Sequence, residues 1–251
     1  MLATLTFRTR CISAVLTTLF SLGTPLADAA EARVCAGITE PFVDVALSLP
    51  VAGIMAVVHL KEGDFVQANE VILELDERLE VLEVERRRIV MDNSKADWES
   101  TKVVFDKTSA ISRDVLLKKE ADYKVATTEY NVAVEELNRR RLVAPAAGVI
   151  TELKLHPGEA CTAFQPVARL VDTRKCYFEC NIEAGLSADL QVGKKVQLLI
   201  DNGGTVIKIE ASIIFVSPVV DSASGLQRVK AIFDNLDGRV RPGLAGKLIL
   251  S

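Results

Sequence analysis

The sequence offers little from which a catalytic or metal centre could be built. It has two histidines, His59 and His156, far apart in the chain, and no Cys-x-x-Cys pair. That is too little for a zinc-type site, whose ligands come in closely spaced sets. No serine or cysteine nucleophile motif accompanies either histidine, so both read as ordinary surface or strand-edge residues. Asn202-Gly203-Gly204 is followed by neither Gly-Lys-Ser/Thr nor a helix start, which rules out a phosphate loop there. Charge of one sign is also missing. Lys and Arg total 30 against 34 Asp and Glu, a formal charge of −4 with the signs interspersed, giving no electrostatic reason to expect nucleic acid.

Long apolar runs are equally scarce. One extends from Cys11 to Leu22, behind Arg8 and Arg10 and ahead of Gly23-Thr24-Pro25 and Ala27-Asp28-Ala29-Ala30. It is short for a bilayer span, and its charged, apolar and small-residue parts follow the order of a secretory signal, with cleavage near Ala29/Ala30. The alternative is an N-terminal anchor left in place. No cysteine follows a lipobox, and no later segment is long and apolar enough to cross a membrane. The reading is an exported protein of residues 31–251 behind a signal at 1–30. Four cysteines then remain, Cys35, Cys161, Cys176 and Cys180, with three pairings open. Cys176 and Cys180 share one strand about 13 Å apart, beyond the roughly 7 Å that a disulfide tolerates. Their expected states are buried thiols or a single disulfide.

Glycine and proline are absent from 76–141, and the segments on either side repeat one another. Pro50, Gly53, Gly63, Asp64 and Leu75 align without a gap on Pro145, Gly148, Gly158, Glu159 and Leu170, an offset of 148 − 53 = 95. Each copy has an alternating apolar stretch, a Gly-acid turn and a second apolar stretch, as half-buried strands require. The expected structural turns are at Gly53, Gly63, Gly148, Gly158 and, near the C-terminus, Gly243. One copy is too small to bury its own apolar face, so the two should close on each other as a sandwich.

The intervening 76–142 has another period. Leu75, Leu82, Ile89, Ala96, Val103 and Ala110 recur every seven residues, as do Leu116, Tyr123, Tyr130 and Leu137, with Ala126 and Ala133 as a second row. Such spacing predicts coiled-coil helices. A single straight helix would separate the two repeats, so the chain must reverse near Thr108–Arg113 into arms of roughly 45 to 50 Å. The acidic run Asp76, Glu77, Glu80, Glu83 and Glu85 beside Arg86, Arg87 and Arg88 reads as a solvated helix face. After 173 the pattern is all-β: Cys176–Ile182, Lys195–Ile200, Thr205–Val216, Leu226–Phe233 and Leu244–Leu250 are expected strands. Glu183–Val192 is a short helix, and the whole is a closed or nearly closed barrel.

The fold class is therefore mainly β with a long α-helical hairpin: a split β-sandwich followed by a C-terminal β-barrel. Its parts are 31–75, 76–142, 143–172 and 173–251. Pro50-Val51-Ala52-Gly53 with Lys61-Glu62-Gly63-Asp64-Phe65-Val66 forms the first half-motif. Ala144-Pro145-Ala146-Ala147-Gly148-Val149-Ile150 with Pro157-Gly158-Glu159 forms the second. With the tail Arg228–Asn235 and Arg241-Pro242-Gly243-Leu244, this ordered set resembles the periplasmic adaptor subunits, or membrane fusion proteins, of the HlyD/AcrA type.

The resemblance implies that the split sandwich is a lipoyl-like domain (biotinyl/lipoyl-like), and that the chain is a non-catalytic adaptor without cofactor, linking an inner-membrane transporter to an outer-membrane channel of the TolC type for efflux of small molecules. An RND-type transporter is favoured, with an ABC-type exporter or type I secretion system as the alternative, and the adaptor would form a ring, a hexamer or trimer of dimers. The hairpin tip would dock on the channel through Phe105, Lys107, Ile111, Ser112 and Arg113, and barrel loops near Asp221–Gly225 and Asp237–Arg241 would face the transporter. Many family tips follow Arg-x3-Leu-x6-Ser. Here Thr101, Phe105 and Ser112 fall on those positions, so the basic residue is missing. The membrane-proximal domain that ends many adaptors also has no counterpart before Ser251. From other classes, an exported coiled-coil scaffold stays open, whereas an acyl carrier finds no lysine on a tight turn between the halves.

Overall fold

The computed structural model describes residues 33–108, 110–187 and 190–250; the expected signal segment, with Cys11, lies outside the described residues. In chain order the elements are β1 (Arg33–Ser48), β2 (Gly53–Val58), β3 (Phe65–Val66), β4 (Val71–Leu75), α1 (Arg78–Thr108) and α2 (Arg113–Asn138). They continue as β5 (Arg141–Val143), β6 (Gly148–Leu153), β7 (Ala160–Cys161), β8 (Pro166–Glu183), α3 (Ala184–Ser187), β9 (Lys195–Asn202), β10 (Thr205–Val216), β11 (Leu226–Asp234) and β12 (Ala245–Leu250).

The two repeats clasp. Strand β2 pairs with β7 through Gly53–Cys161 and Ile54–Ala160, and β3 pairs with β6 through Phe65–Val149 and Val66–Gly148. These ladders are mates under the offset of 95 read from the sequence. The hydrogen bonds between the halves obey the same rule. Gly63 N–H donates to Ile150 O and Gly158 N–H to Met55 O, each at 2.8 Å. Met55 N–H donates to Glu159 O at 2.9 Å and Ile150 N–H to Asp64 O at 3.0 Å. A local two-fold therefore relates the halves, and neither completes its backbone bonding alone.

The core of this module is paired in the same way. Leu47, Leu49, Met55, Val66, Ile72, Leu73 and Leu75 are buried against their mates Leu142, Ala144, Ile150, Cys161, Val167, Ala168 and Leu170. Gly63 and Gly158 both turn at φ 92°, as their sequence positions predict. Gly53 and Gly148 do not turn the chain as expected; they open strands β2 and β6. What they supply is close approach. A Cβ on Gly53 would sit 2.9 Å from the Arg140 guanidinium, and one on Gly148 would sit 2.8 Å from Val171 O.

The second module is a closed barrel. Its strands run β1-β12-β9-β10-β11-β8, all antiparallel, and β1 pairs again with β8 to close the ring. Phe178, Ile182, Leu198, Ile200, Ile213, Val229 and Leu248 fill it. The second apolar stretch of the second repeat and the expected strand Cys176–Ile182 are one continuous strand, β8, of 18 residues. β8 and the 16-residue β1 run from the clasp into the barrel as a two-stranded ribbon, so both modules share a pair of strands. The expected helix after 183 is reduced to the single turn of α3.

Where the ribbon passes from one module to the other, Asp172 lies buried and accepts from Arg174 N–H at 2.9 Å, Nε at 3.0 Å and Nη2 at 2.8 Å. Those bonds from Arg174 hold its carboxyl below the usual carboxylate range. Asp44, bonded by Arg169 on the same ribbon, is lowered likewise. A depressed folded-state value gives stability that is complete above the ordinary carboxylate pKa of about 3.9 and is lost as pH falls through the lowered one. The melting temperature is therefore expected to stay level from about pH 7 to pH 5 and to fall from about pH 4 downward. Asp172→Asn should flatten that acid limb in a pH series of thermal melts.

Candidate functional site: the hairpin, its mounting and its tip

The helices leave and re-enter the clasp at one edge, because β4 and β5 are neighbours with Glu74 opposite Arg141. At 1.5 Å per residue the 31 residues of α1 extend about 46 Å. The mounting is ionic. Arg140 reaches Glu80 at 2.5 Å and donates to Ala52 O at 3.0 Å, through the space left by the missing side chain of Gly53. Arg141 grips Glu77 at 2.8 and 2.5 Å and lies 3.8 Å from Glu74. The acidic run therefore divides by role. Glu77 and Glu80 are half-buried clamps at the base, whereas Glu83 bonds Arg86 and Arg87 on the helix itself.

The seam of α2 lies where the sequence places it: Ala126 and Ala133 are buried, and Leu116, Tyr123, Tyr130 and Leu137 are half-buried. The seam of α1 does not. Its inward positions are Glu80, Val84, Arg87, Met91, Ser94, Trp98, Thr101 and Phe105. The expected row points outward instead, with Leu82 66%, Ile89 52% and Val103 49% exposed. The inward row is also a heptad, but half polar, and its polar members find partners across the hairpin. Arg87 pairs with Glu129, and Lys119, beside the seam, reaches Asp97 at 2.8 Å. Trp98 stacks on Tyr123 with centroids 5.5 Å apart and planes 10° from parallel. Aromatic stacking and cross-helix ion pairs stand where the apolar rule expects leucine.

At the tip, α1 ends at Thr108, whose hydroxyl donates to Val104 O at 2.8 Å. Ser112 is the N-cap of α2, accepting from Val115 N–H at 3.4 Å with its backbone extended. Phe105 and Ile111 are half-buried, and Lys107, Ser112 and Arg113 are exposed. Neither Lys107 nor Arg113 has an ion-pair partner among the described residues. Thr101 and Phe105, four residues apart, face α2, so that part of the tip is spent on holding the arms together.

The barrel loops are rigidly built. Asn235 is buried and bonds Thr173 O at 2.9 Å and Val240 O at 2.8 Å, while Val240 N–H returns a bond to it at 3.0 Å. Asp221 gathers the N–H groups of Ala223 and Ser224 at 3.0 and 2.8 Å. The histidines sit beside carboxylates, His59 at 3.4 Å from Glu74 and His156 at 3.7 Å from Glu159. Among the described residues no group of three His, Cys, Asp or Glu is placed to hold a metal, and no helix is long and apolar enough to cross a membrane.

This plan is shared with known proteins. A chimera of MacA and MexA carrying the Pseudomonas aeruginosa MexA α-hairpin domain superposes with a TM-score of 0.73 at 18% identity, over 86% of this chain and 80% of the other. The membrane fusion protein Spr0693 of Streptococcus pneumoniae R6 does so with a TM-score of 0.68 at 10% identity, over 88% and 99%. The fold is that of the membrane fusion proteins. In sequence the chain is 25% identical over 208 residues to the cation efflux system protein CzcB of an Alcaligenes species. It is 24% identical over 204 residues to an uncharacterised protein of Haemophilus influenzae. It spans 39% and 52% of the lengths of these two relatives while 77% and 80% of it is matched. No family model matches the chain.

Proposed function

We propose that this chain is a non-catalytic adaptor of an efflux assembly in the cell envelope, exported by its N-terminal signal and acting in the periplasm. It joins an inner-membrane transporter to an outer-membrane channel. The observation that carries this reading is the mounting of the hairpin. Two half-modules close into one unit, both helices leave from a single edge, and a 31-residue arm projects its tip about 46 Å away. Such a body does no chemistry; it sets a distance and presents two ends. Lys107, Ile111, Ser112 and Arg113 form the channel end, with Phe105 behind them on the side toward α2, and Lys107 and Arg113, without ion-pair partners among the described residues, offer charge. The loops at Asp221–Gly225 and Asp237–Arg241 form the transporter end.

Copies of the adaptor pack side by side into a ring. Support comes from the outward row Leu82, Ile89, Ala96 and Val103 on α1, whose strict seven-residue spacing is that of a helix–helix seam. α2 carries an outward apolar row of its own, Leu117, Val125 and Val132. The efflux name of one relative, the cation efflux system protein CzcB, agrees with this reading, and an RND-type transporter is its preferred inner-membrane partner over an ABC-type one. Crosslinking in intact cells followed by affinity capture of the tagged chain tests it. The expected catch is an inner-membrane transporter together with an outer-membrane channel. Capture of neither, at normal levels of the chain, contradicts the adaptor reading.

A further inference from the structure

Cys35 on β1 and Cys180 on β8 are far apart in sequence, yet the barrel brings them together. β1 pairs with β8 through Gly37–Cys180 and Ile38–Glu179, so Cys35 lies diagonally across the ladder from Cys180 on the same inward face. Diagonal side chains in an antiparallel pair are normally a little too far apart to bond. Here glycine intervenes. A Cβ on Gly37 would lie 2.8 Å from Cys180 Cβ and 2.3 Å from Glu179 O, so only glycine allows the strands this approach and leaves the space beside Cys180 open toward Cys35. The Cys35 thiol donates to Asn181 O at 3.0 Å, on the residue that follows Cys180.

The other two described cysteines have no such neighbour. Cys161 belongs to the clasp core and Cys176 to the barrel core, and the latter's only thiol neighbour along β8 is four residues away. The structure thus decides among the three pairings open to the sequence: it favours one pair and leaves two single thiols.

We propose that Cys35 and Cys180 are a disulfide-forming pair that covalently closes the barrel between its first strand and β8. The half-buried Cys35, as thiolate, attacks one sulfur of a disulfide-bearing oxidant, a thiol oxidase or oxidised glutathione, and expels the other sulfur as a thiolate. Cys180 gives up its proton to solvent and attacks Cys35 Sγ, forming the new S–S bond and expelling the oxidant's second sulfur. Two thiols are oxidised, one disulfide is reduced, and the two protons end on the departing thiols. Burial raises both thiols above the ordinary range, Cys180 to about 12. High-pKa thiols are slow to exchange and poor leaving groups, so the bond, once made, behaves as a lasting staple rather than a catalytic one.

The test is peptide mapping of the full chain after exposure to oxidised glutathione. The protein is denatured, alkylated without reduction and digested. The expected result is a linked peptide pair containing Cys35 and Cys180, two hydrogens lighter than the reduced pair, with Cys161 and Cys176 fully alkylated. Cys35→Ser and Cys180→Ser should each abolish the link. The oxidised chain should melt roughly 5 to 10 °C above the reduced one. Full alkylation of Cys35 and Cys180 without reduction, or linkage of either to another cysteine, overturns the proposal.

Discussion

Ile150→Asp is expected to leave the chain without a cooperative folded state. Ile150 is fully buried in the clasp, and its backbone both donates to Asp64 O and accepts from Gly63 N–H, two of the bonds by which the halves hold each other. A carboxylate there has no cation within the core to pair with, and burying an unpaired charge costs several kcal/mol. That is comparable with the whole stability of a domain, about 5 to 15 kcal/mol. The effect should not stop at the clasp. No residue of α1 is buried, so the hairpin has little hydrophobic stability of its own and depends on its mounting. Far-UV circular dichroism should therefore lose helical signal together with the β module. The control Ile150→Val should cost only about 1 kcal/mol, and a wild-type melting midpoint for the aspartate variant would contradict the clasp.

The second large effect concerns export. Ile111→Arg combined with Ser112→Asp should abolish export of small molecules while leaving protein level, helicity and melting midpoint unchanged. Ile111 is only half-buried at the turn, so arginine disturbs little inside the chain. Aspartate is as good an N-cap as serine, so the start of α2 survives. Ser112→Ala separates the two roles of that position: it removes the cap, at about 1 kcal/mol, without adding charge to the tip. Loss of export in the charged variant but not in Ser112→Ala assigns the defect to docking. Undiminished export in the charged variant would remove the tip from the function.

The clasp was legible because it is written twice. A glycine-anchored pattern repeated at constant offset needs no knowledge of either copy's structure, and the core follows the same arithmetic beyond the visible repeat. Leu47 pairs with Leu142 and Leu49 with Ala144, but the change from leucine to alanine hid that extension. The α1 seam was misplaced for a physical reason. Its inward row alternates the polar Glu80, Arg87, Ser94 and Thr101 with the apolar Val84, Met91, Trp98 and Phe105, a seven-residue row no more regular than the outward Leu82, Ile89, Ala96 and Val103. In a hairpin this exposed, ion pairs and a Trp98–Tyr123 stack do the holding, and apolar periodicity reports another surface. Complementary charge, Arg87 with Glu129 and Asp97 with Lys119, is the signal that separates the two competing apolar rows. The closure of the barrel by β1 was hidden because strand order cannot be read from a strand's own residues. The base clamps, Arg140–Glu80 and Arg141–Glu77, span 60 and 64 residues, beyond any local pattern.

The distance between spin labels at positions 82 and 135 decides most directly whether the insert doubles back on a closed clasp. Both positions lie near the base, at similar heights on α1 and α2, since the neighbouring pair Arg87–Glu129 bridges the arms. Paired helices with axes 8 to 10 Å apart place outward side chains roughly 20 to 30 Å from each other. Double electron–electron resonance is expected to give that distance as a single narrow population. A distance near 80 Å, from 135 − 82 = 53 residues in one straight helix at 1.5 Å each, would mean that the stalk never returns and the two halves never meet.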